Sequence, residues 1–135
     1  MIEVKLNNFS ISNDLPFVLI AGPCVLESEK KSLSIANEIY KISDELKINF
    51  IFKASFDKAN RSSIQSQRGI TLEEGLKIFQ KIKKEFNCPV ITDIHTEDQC
   101  KLLSDSDVID ILQIPAFLCR QTDLLLEAGK TKKNS

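Results

Sequence analysis

The stretch Phe17-Val18-Leu19-Ile20-Ala21, followed by Gly22-Pro23, decides the fold class of this chain. Five consecutive apolar residues predict a strand that is buried on both faces, and the Gly-Pro pair ends it. From residue 29 to residue 47 the apolar residues recur every three or four positions, which predicts a helix. The apolar face of that helix consists of Ile35, Ile39, Ile42 and Leu46.

The same order of strand and helix recurs three more times. Further strands are predicted over residues 49–54, 89–94 and 108–114. Two further helices are predicted to begin at capping-box sequences headed by Thr71 and Thr96, and a last helix is predicted over residues 120–129. Four such units predict an α/β fold with a parallel sheet and right-handed crossovers. Both an open doubly wound sheet and part of a (β/α)₈ barrel fit this pattern. A complete barrel takes about 250 residues, so 135 residues hold roughly half of one.

Composition and charge narrow the range of functions that this chain could have. The 18 basic and 19 acidic residues leave a net charge of −1, which argues against a general nucleic-acid or membrane-surface role. No apolar run approaches the roughly 18 residues of a membrane-spanning helix, and residues 1–5 lack the basic start of a signal peptide. We therefore expect one cytoplasmic domain, with a short hairpin in residues 2–12, the four strand-helix units in 17–129 and an unstructured tail in 130–135.

The four cysteines occur without a Cys-x-x-Cys pair or zinc-finger spacing. In a reducing cytoplasm we expect them to be free thiols. Cys88, Cys100 and Cys119 are expected to pack as small apolar residues. Cys24 follows the first strand beside the Gly-Pro turn, where a thiol is either a core residue or a soft metal ligand.

Polar residues cluster where each predicted strand ends. In both candidate folds the carboxyl ends of the strands form the ligand-binding rim, so these residues are expected to face one common site. In order along the chain they are Cys24, Lys53, Ser55, Asp93, His95 and Gln113, with Pro115 after the fourth strand.

The loop after the second strand is rich in cations and small hydrogen-bond donors. It combines the charges of Lys53, Lys58 and Arg61 with Ser55, Asn60 and Ser62. Carboxylates and phosphates are bound by such a mixture, because fixed cations and hydroxyl or amide donors act together on the same oxygens. A solvated surface loop is the alternative interpretation. Lys53 favours the anion site, because it lies within an apolar strand, where an unpaired ammonium is costly.

The remaining polar residues are open to more than one role. His95, the only histidine, is more typical of a structural hydrogen bond than of a catalytic base. Asp93 is expected to orient a ligand hydroxyl or to pair with a lysine. Gln113 lies in a buried strand and must be hydrogen-bonded, either to the protein or to a ligand.

Four segments together resemble a known family, both in their residues and in their order along the chain. They are Gly22-Pro23-Cys24-Val25-Leu26-Glu27-Ser28, the run from Phe52 to Ser63 that contains Lys-Ala-Ser-Phe-Asp-Lys-Ala-Asn-Arg-Ser-Ser, Ile91-Thr92-Asp93-Ile94-His95, and the run from Gln113 to Asp123 that begins Gln-Ile-Pro-Ala-Phe-Leu. The chain closely resembles the 3-deoxy-D-manno-octulosonate 8-phosphate synthases from its start to about Thr131.

This resemblance implies the N-terminal half of a (β/α)₈ barrel, in a family of tetramers. Family members are transferases that condense phosphoenolpyruvate with D-arabinose 5-phosphate, releasing phosphate, for lipopolysaccharide synthesis in a Gram-negative cytoplasm. The sibling 3-deoxy-D-arabino-heptulosonate 7-phosphate synthases share the Gly-Pro-Cys sequence and are the alternative enzyme. A non-catalytic truncated fragment is the alternative that is not an enzyme.

The resemblance also assigns roles to residues. It implies that Lys53 and Lys58 hold phosphoenolpyruvate beside Gln113, and that Arg61 and Ser62 grip the sugar phosphate with Asn60. The residues with an implied catalytic role are Lys53, Lys58, Asn60 and Asp93. Further implied substrate contacts are Ser55, Pro115, Ala116, Phe117 and Arg120. Of these, the resemblance implies that Arg120 reaches the substrate of a neighbouring subunit. Cysteine at position 24 implies the metal-dependent type, with zinc, iron or manganese.

The second half of the family's barrel is expected to carry the rest of the site. In the family that half supplies a further lysine and arginine for phosphoenolpyruvate, and a histidine, a glutamate and an aspartate for the metal. We therefore expect the 135-residue chain by itself to be inactive.

Overall fold

The structure is a computed structural model that describes residues 2–56, 70–131 and 133. Four α-helices alternate with the strands of one sheet in this part of the chain. In order, the elements are β1 (Val4–Lys5), β2 (Ser10–Ile11), β3 (Leu19–Ala21), α1 (Glu29–Glu45), β4 (Phe50–Lys53), α2 (Leu72–Phe86), β5 (Val90–Asp93), α3 (Glu97–Ser104), β6 (Ile111–Gln113), a 3₁₀ helix (Ala116–Leu118) and α4 (Thr122–Lys130).

The sheet has the strand order β3-β4-β5-β6, and every neighbouring pair is parallel. The order follows the chain without reversal, whereas a doubly wound sheet reverses at a switch point. All four helices contribute to one apolar core on a single face of the sheet. The architecture is therefore four consecutive βα units of a (β/α)₈ barrel, and the open doubly wound alternative is excluded.

The short hairpin predicted near the start of the chain is confirmed. β1 and β2 pair antiparallel, with Val4 opposite Ile11 and Lys5 opposite Ser10. At the other end, α4 extends to Lys130, one residue into the predicted tail. Residues 132, 134 and 135 lie outside the described residues, and the proposed domain boundaries stay a prediction.

Side chains alternate between the two faces of each strand. Phe50 and Phe52 of β4 point toward the helices and belong to the main core, whereas Ile51 does not. The period of two then places Lys53 on the inner face of the half-barrel, together with Ile51. Asp93 and Gln113 end β5 and β6 directly opposite each other. The alternation therefore collects polar side chains on the inner face at the carboxyl ends of the strands.

Helix starts follow the predicted capping sequences closely. At α2, Glu74 N–H donates to Thr71 Oγ1 (3.2 Å) and Thr71 N–H donates to Glu74 Oε2 (3.1 Å), which completes a capping box. At α3, Gln99 N–H donates to Thr96 Oγ1 (3.2 Å). The side-chain oxygen of Gln99 accepts a hydrogen bond from His95 N–H (2.8 Å) and not from Thr96 N–H, so the capping box of α3 is only half formed.

The first strand and its helix differ from the prediction. β3 begins at Leu19, Phe17 is 70% exposed and Ile20 is 49% exposed, so this strand is not buried on both faces. The physical reason is that, within the described residues, β3 is an outer strand that pairs only with β4, which leaves Ile20 partly uncovered. In α1 the buried residues are Ser32, Ala36 and Ser43, whose small side chains let the helix approach the sheet. The predicted apolar face lies beside them, with Ile42 and Leu46 exposed.

The fourth unit is also shorter than predicted. β6 spans Ile111–Gln113, so residues 108–110 and residue 114 of the predicted strand lie outside it. Asp110, just before β6, still joins β5 through its backbone N–H, which donates to Val90 O at 3.1 Å. The 3₁₀ helix after Pro115 was not predicted, and it delays the start of α4 from residue 120 to Thr122.

Candidate active site at the carboxyl ends of the strands

Gly22 carries the chain from β3 across the end of β4. A Cβ atom at this position would lie 1.8 Å from the carbonyl oxygen of Lys53, so only glycine fits. Beyond it, Ser55 N–H donates to Cys24 O (3.3 Å) and Leu26 N–H donates to Ser55 O (2.9 Å). The close approach therefore fixes Cys24 beside Ser55, two residues after Lys53.

Lys53 is the last residue of β4 and is half-buried. It lies opposite Ile91 in β5, on the inner face of the sheet. Ser55, 6% exposed, is held by two backbone hydrogen bonds, from its own N–H to Cys24 O and from Leu26 N–H to its carbonyl oxygen. A lysine at the rim of an apolar inner face supplies a positive charge at the place where the family resemblance implies that an anionic substrate binds.

Asp93 and His95 form a hydrogen-bonded pair at the end of β5. Asp93 Oδ2 lies 2.9 Å from His95 Nε2, and their side chains are 13% and 14% exposed. Within the described residues the partner of Asp93 is His95. The pairing holds the carboxylate in one orientation and gives His95 the structural role that is typical of a single histidine. That Asp93 also orients a ligand hydroxyl or pairs with a lysine stays a prediction.

Two oxygen atoms at the rim are buried and have no hydrogen-bond partner among the described residues. They are Asp93 Oδ1 and Gln113 Oε1, on residues directly opposite each other across β5 and β6. A buried acceptor without a donor costs about 1–3 kcal/mol. This pair of acceptors is therefore suited to a ligand that donates hydrogen bonds, such as a hydroxyl group, or to a cation.

Thr92 is a supporting residue that the sequence analysis did not single out. Its side chain is fully buried, and Oγ1 donates to Ala54 O at 2.8 Å. This bond joins the ends of β4 and β5, next to Lys53 and Asp93. The signal in the sequence was a hydroxyl residue in an otherwise apolar strand, which must find a hydrogen-bond partner when buried.

The segment after β6 forms the far side of the rim. Pro115 is buried and precedes the 3₁₀ helix, whereas Ala116 and Phe117 are exposed, Phe117 by 64%. Arg120 is exposed as well. A cleft of about 320 Å³ lies between the starts of α3 and α4, and His95 is at one side of it.

Four of the predicted site residues fall between β4 and α2 in the sequence. Lys58, Asn60, Arg61 and Ser62 lie outside the described residues. Their roles stay a prediction. The structure brings together Cys24, Lys53, Ser55, Asp93 and Gln113 on the rim, with Pro115 and Ala116 beside them.

The cysteines differ in their surroundings. Cys88 and Cys100 are buried, and burial raises the pKa of Cys88 to about 11 and also raises the pKa of Cys100. These two pack as predicted, but Cys119 is exposed, contrary to the expectation. Cys24 is exposed on the rim, and among the described residues no three His, Cys, Asp or Glu side chains converge on a metal site. One thiolate does not fit a metal centre by itself.

None of the helices in the described part of the chain combines the length and apolar character needed to cross a bilayer.

Comparison with known proteins agrees with the architecture. The family described as "DAHP synthetase I family" matches residues 1–134. The proteins named 2-dehydro-3-deoxyphosphooctonate aldolase from Rickettsia felis, Rickettsia typhi and Rickettsia prowazekii are 56%, 58% and 58% identical over 130 residues, which is 96% of this chain. The chain spans about half the length of these relatives: 47%, 47% and 46%.

The name shared by these relatives is another name for the octulosonate phosphate synthases. The resemblance read from the sequence is therefore confirmed, and the heptulosonate alternative is less well supported. With four consecutive βα units, a polar rim and a match that extends over nearly every residue, this chain belongs to the DAHP synthetase I family.

Proposed function

We propose that this chain is the N-terminal half of an enzyme that condenses phosphoenolpyruvate with D-arabinose 5-phosphate. The products are 3-deoxy-D-manno-octulosonate 8-phosphate and inorganic phosphate. The observation that carries the proposal is the convergence of Lys53, Asp93 and Gln113 on the inner face at the carboxyl ends of three adjacent strands. The name and the 56–58% identity of the relatives support it.

The chemistry of the substrates matches the charges of the rim. Together they bring two phosphates and one carboxylate into one site, so the site must supply several cations. We assign Lys53 and Lys58 to phosphoenolpyruvate, with Ser55 and Gln113 beside it. Asn60, Arg61 and Ser62 are assigned to arabinose 5-phosphate.

The two buried acceptors have a role in the same reaction. Asp93 Oδ1 and Gln113 Oε1 accept hydrogen bonds from substrate hydroxyl groups, since both lack a donor among the described residues. His95 holds the other oxygen of Asp93 and so aims the first one at the substrate. A sugar bound in this way presents its aldehyde carbon to the enol carbon of phosphoenolpyruvate, and correct orientation supplies much of the rate enhancement.

Residues after β6 complete the proposed half-site. Pro115 is buried and starts the 3₁₀ helix, which positions the backbone of Ala116 and Phe117 along the substrates. Arg120, exposed, reaches the sugar phosphate of a neighbouring subunit in a tetramer of full-length chains. The catalytic residues of this half are then Lys53, Lys58, Asn60 and Asp93.

A divalent metal belongs to the proposed full-length enzyme. Cys24 would be one ligand, because its thiol is exposed on the rim and its backbone is tied to Ser55. Zinc, iron or manganese would supply Lewis acidity that polarises an oxygen of the substrate or of water. The described residues offer a single ligand, so we expect the 135-residue chain alone to bind zinc weakly. The free cysteines support a reducing, cytoplasmic location, and the product would serve lipopolysaccharide synthesis.

A chimera tests this function. Residues 2–131 of this chain are fused to the C-terminal half of the Rickettsia typhi relative, and phosphate release is followed with both substrates. We expect release that requires phosphoenolpyruvate and arabinose 5-phosphate together, and a loss of at least about 100-fold in Lys53→Met. Lys101→Met, an exposed lysine of α3, is the matched control and should leave the rate unchanged.

Two results would contradict the proposal. One is a folded chimera that accepts only the four-carbon aldose phosphate that a seven-carbon product requires, which would favour the heptulosonate alternative. The other is a folded chimera in which Lys53→Met is as active as Lys101→Met, because Lys53 would then not belong to the site.

A further inference from the structure

The start of α3 departs from the usual capping pattern at one hydrogen bond. In a capping box, the side chain at the third helical position returns to the N–H of the capping residue. Here Gln99 Oε1 accepts instead from His95 N–H at 2.8 Å, one residue before the capping residue Thr96. The other half of the box is ordinary, since Gln99 N–H donates to Thr96 Oγ1 at 3.2 Å. The side chain of Gln99 is therefore diverted from its own helix to the chain that leaves β5.

His95 connects this helix start with the proposed site. Its Nε2 lies 2.9 Å from Asp93 Oδ2, and both side chains are largely buried. The second carboxylate oxygen, Asp93 Oδ1, is buried and has no hydrogen-bond partner among the described residues. Because the ring of His95 is attached to its backbone through one carbon, a shift of that backbone changes where the ring holds the carboxylate.

The backbone from Asp93 to His95 is tied to its surroundings residue by residue. Asp93 pairs with Gln113 in the ladder between β5 and β6, and Ile94 N–H donates to Gln113 O at 3.0 Å. The bond from His95 N–H to Gln99 comes next. Of these three ties, only the one at His95 is made by a side chain. A substitution of Gln99 therefore removes the tie at His95 and leaves the ladder of the sheet in place.

Gln99 stands on a firmly packed part of α3. The residue is half-buried, whereas residues 96–98 before it are exposed. The next residue, Cys100, is fully buried, as is Leu103 one turn further on, and both belong to the core. An amide at this place accepts the N–H of the preceding chain without adding a second negative charge close to Asp93. The helix therefore offers a fixed base from which Gln99 can hold the residues after β5.

We propose that Gln99 is a positioning residue of the site. It fixes the backbone of His95, and His95 in turn holds Asp93 with its Oδ1 toward a substrate hydroxyl. The inference rests on the proposed function for the nature of that hydroxyl, but the hydrogen bonds that carry it belong to the chain itself. Gln99 acts through His95, so it influences how accurately the sugar is oriented. A misplacement of about 1 Å can lower a rate by on the order of 100-fold.

Amide hydrogen exchange of the full 135-residue chain tests the diverted bond without any substrate. We expect His95 N–H, which donates to Gln99, to exchange at least about tenfold more slowly than Thr96 N–H, for which the described residues provide no acceptor. The reverse order would mean that Gln99 closes an ordinary capping box with Thr96. That result would overturn the proposal.

The ring signals of His95 give a second test, because His95 is the only histidine of the chain. A neutral ring that donates from Nε2 to Asp93 has one defined tautomer, and nitrogen NMR at pH 8 should show it. Gln99→Met removes the acceptor at nearly the same length and should shift these signals toward the tautomer mixture of free imidazole. Gln99→Glu keeps an acceptor and should retain the original signals. Gln80→Met, the same change at an exposed position of α2, is the matched control and should alter nothing.

The same variants in the chimera test the consequence for the reaction. We expect Gln99→Met to lower kcat/KM for arabinose 5-phosphate by at least about tenfold, while the KM for phosphoenolpyruvate stays within about twofold. Gln99→Glu and Gln80→Met should stay close to the parent chimera. Because Gln99 acts through His95, the double variant Gln99→Met/His95→Phe should lose no more activity than His95→Phe alone.

Three results with the variants would overturn the positioning role. They are ring signals that do not change in a folded Gln99→Met chain, equal losses of activity in Gln99→Met and Gln99→Glu, and a double variant whose loss is the product of the two single losses. Circular dichroism checks folding, and if Gln99→Met does not fold, the exchange order in the unsubstituted chain still decides. A parent chimera that makes no eight-carbon product would instead contradict the proposed function, because the NMR measurements involve no substrate.

Discussion

We expect Asp110→Ala to lower the free energy of unfolding by roughly 2–3 kcal/mol. Asp110 lies just before β6, and both its carboxylate oxygens are 2.9 Å from Lys83 Nζ of α2. The Val90 N–H at the start of β5 donates to the same carboxylate at 2.8 Å. One side chain therefore joins a helix and two strands at the end of the sheet opposite the rim.

The magnitude follows from what the substitution leaves behind. A fully buried ion pair that loses one partner costs about 3–5 kcal/mol, and an unsatisfied amide costs about 1–3 kcal/mol. The side chains of Lys83 and Asp110 are 23% and 14% exposed, so water reaches part of the pair. Lys83 Nζ also keeps the Val108 carbonyl at 2.9 Å. Both facts reduce the cost below the sum of these ranges, to roughly 2–3 kcal/mol in total.

Urea unfolding followed by circular dichroism measures the effect, at one protein concentration because any self-association adds to the stability. Asp110→Asn keeps an acceptor for Val90 N–H and should cost only about 1 kcal/mol. Glu29→Ala is the control: it removes an exposed ion pair of 2.6 Å with Lys81 and should cost less than about 1 kcal/mol. If Asp110→Ala costs no more than Glu29→Ala, the reasoning is refuted.

Three further predictions concern the rim and the thiols. Gly22→Ala should destabilise the protein by about 2 kcal/mol or more, because the new Cβ would lie 1.8 Å from Lys53 O, whereas Gly129→Ala, with nothing within 4 Å, should be neutral or stabilising in thermal unfolding. In the chimera, His95→Phe should lower kcat/KM for the aldose phosphate by at least about tenfold, and His95→Gln, which keeps a donor for Asp93, by less; equal losses would argue against the positioning role. In a thiol-labelling assay at pH 8, Cys24 and Cys119 should react at once, and the buried cysteines, Cys88 and Cys100, only on unfolding; four thiols reacting at one rate would contradict the burial.

Local signals in the sequence predicted the helix ends well. Thr71 and Glu74 form the capping box that their spacing predicts, and Asn87 ends α2 in the left-handed conformation that favours asparagine. These features depend on neighbouring residues only, so a sequence pattern contains all the information they need. The order of strands and helices also came from periodicity, but the choice between a barrel and a doubly wound sheet did not. That choice depends on the strand order, which periodicity does not record.

The face of α1 shows why packing was harder to predict. The spacing of Ile35, Ile39, Ile42 and Leu46 correctly indicates one apolar face, but it does not say which neighbour covers that face. In the structure the small residues Ser32 and Ala36 are the buried ones, and of the apolar face Ile39 packs against the core whereas Ile42 and Leu46 are exposed. A stripe of apolar residues therefore does not by itself say which of its members the core covers.

The site was predictable where it follows strand ends and unpredictable where it depends on backbone approach. Asp93 ends β5 and His95 follows two residues later, a spacing that places both on one side of an extended chain, so their pairing was within reach of the pattern. The close contact of Gly22 with Lys53 O joins residues 31 positions apart and has no local signal. The same is true of the bond from Thr92 to Ala54.

The most direct measurement of the central claim is the carbon count of the product. The chimera is offered phosphoenolpyruvate with arabinose 5-phosphate and the four-carbon aldose phosphate in equal amounts, and the products are separated by mass. Because the relatives are octulosonate phosphate synthases by name, we predict an eight-carbon sugar acid phosphate that disappears in Lys53→Met. A seven-carbon product, or an eight-carbon product that persists in Lys53→Met, would contradict the proposed role of this half-barrel.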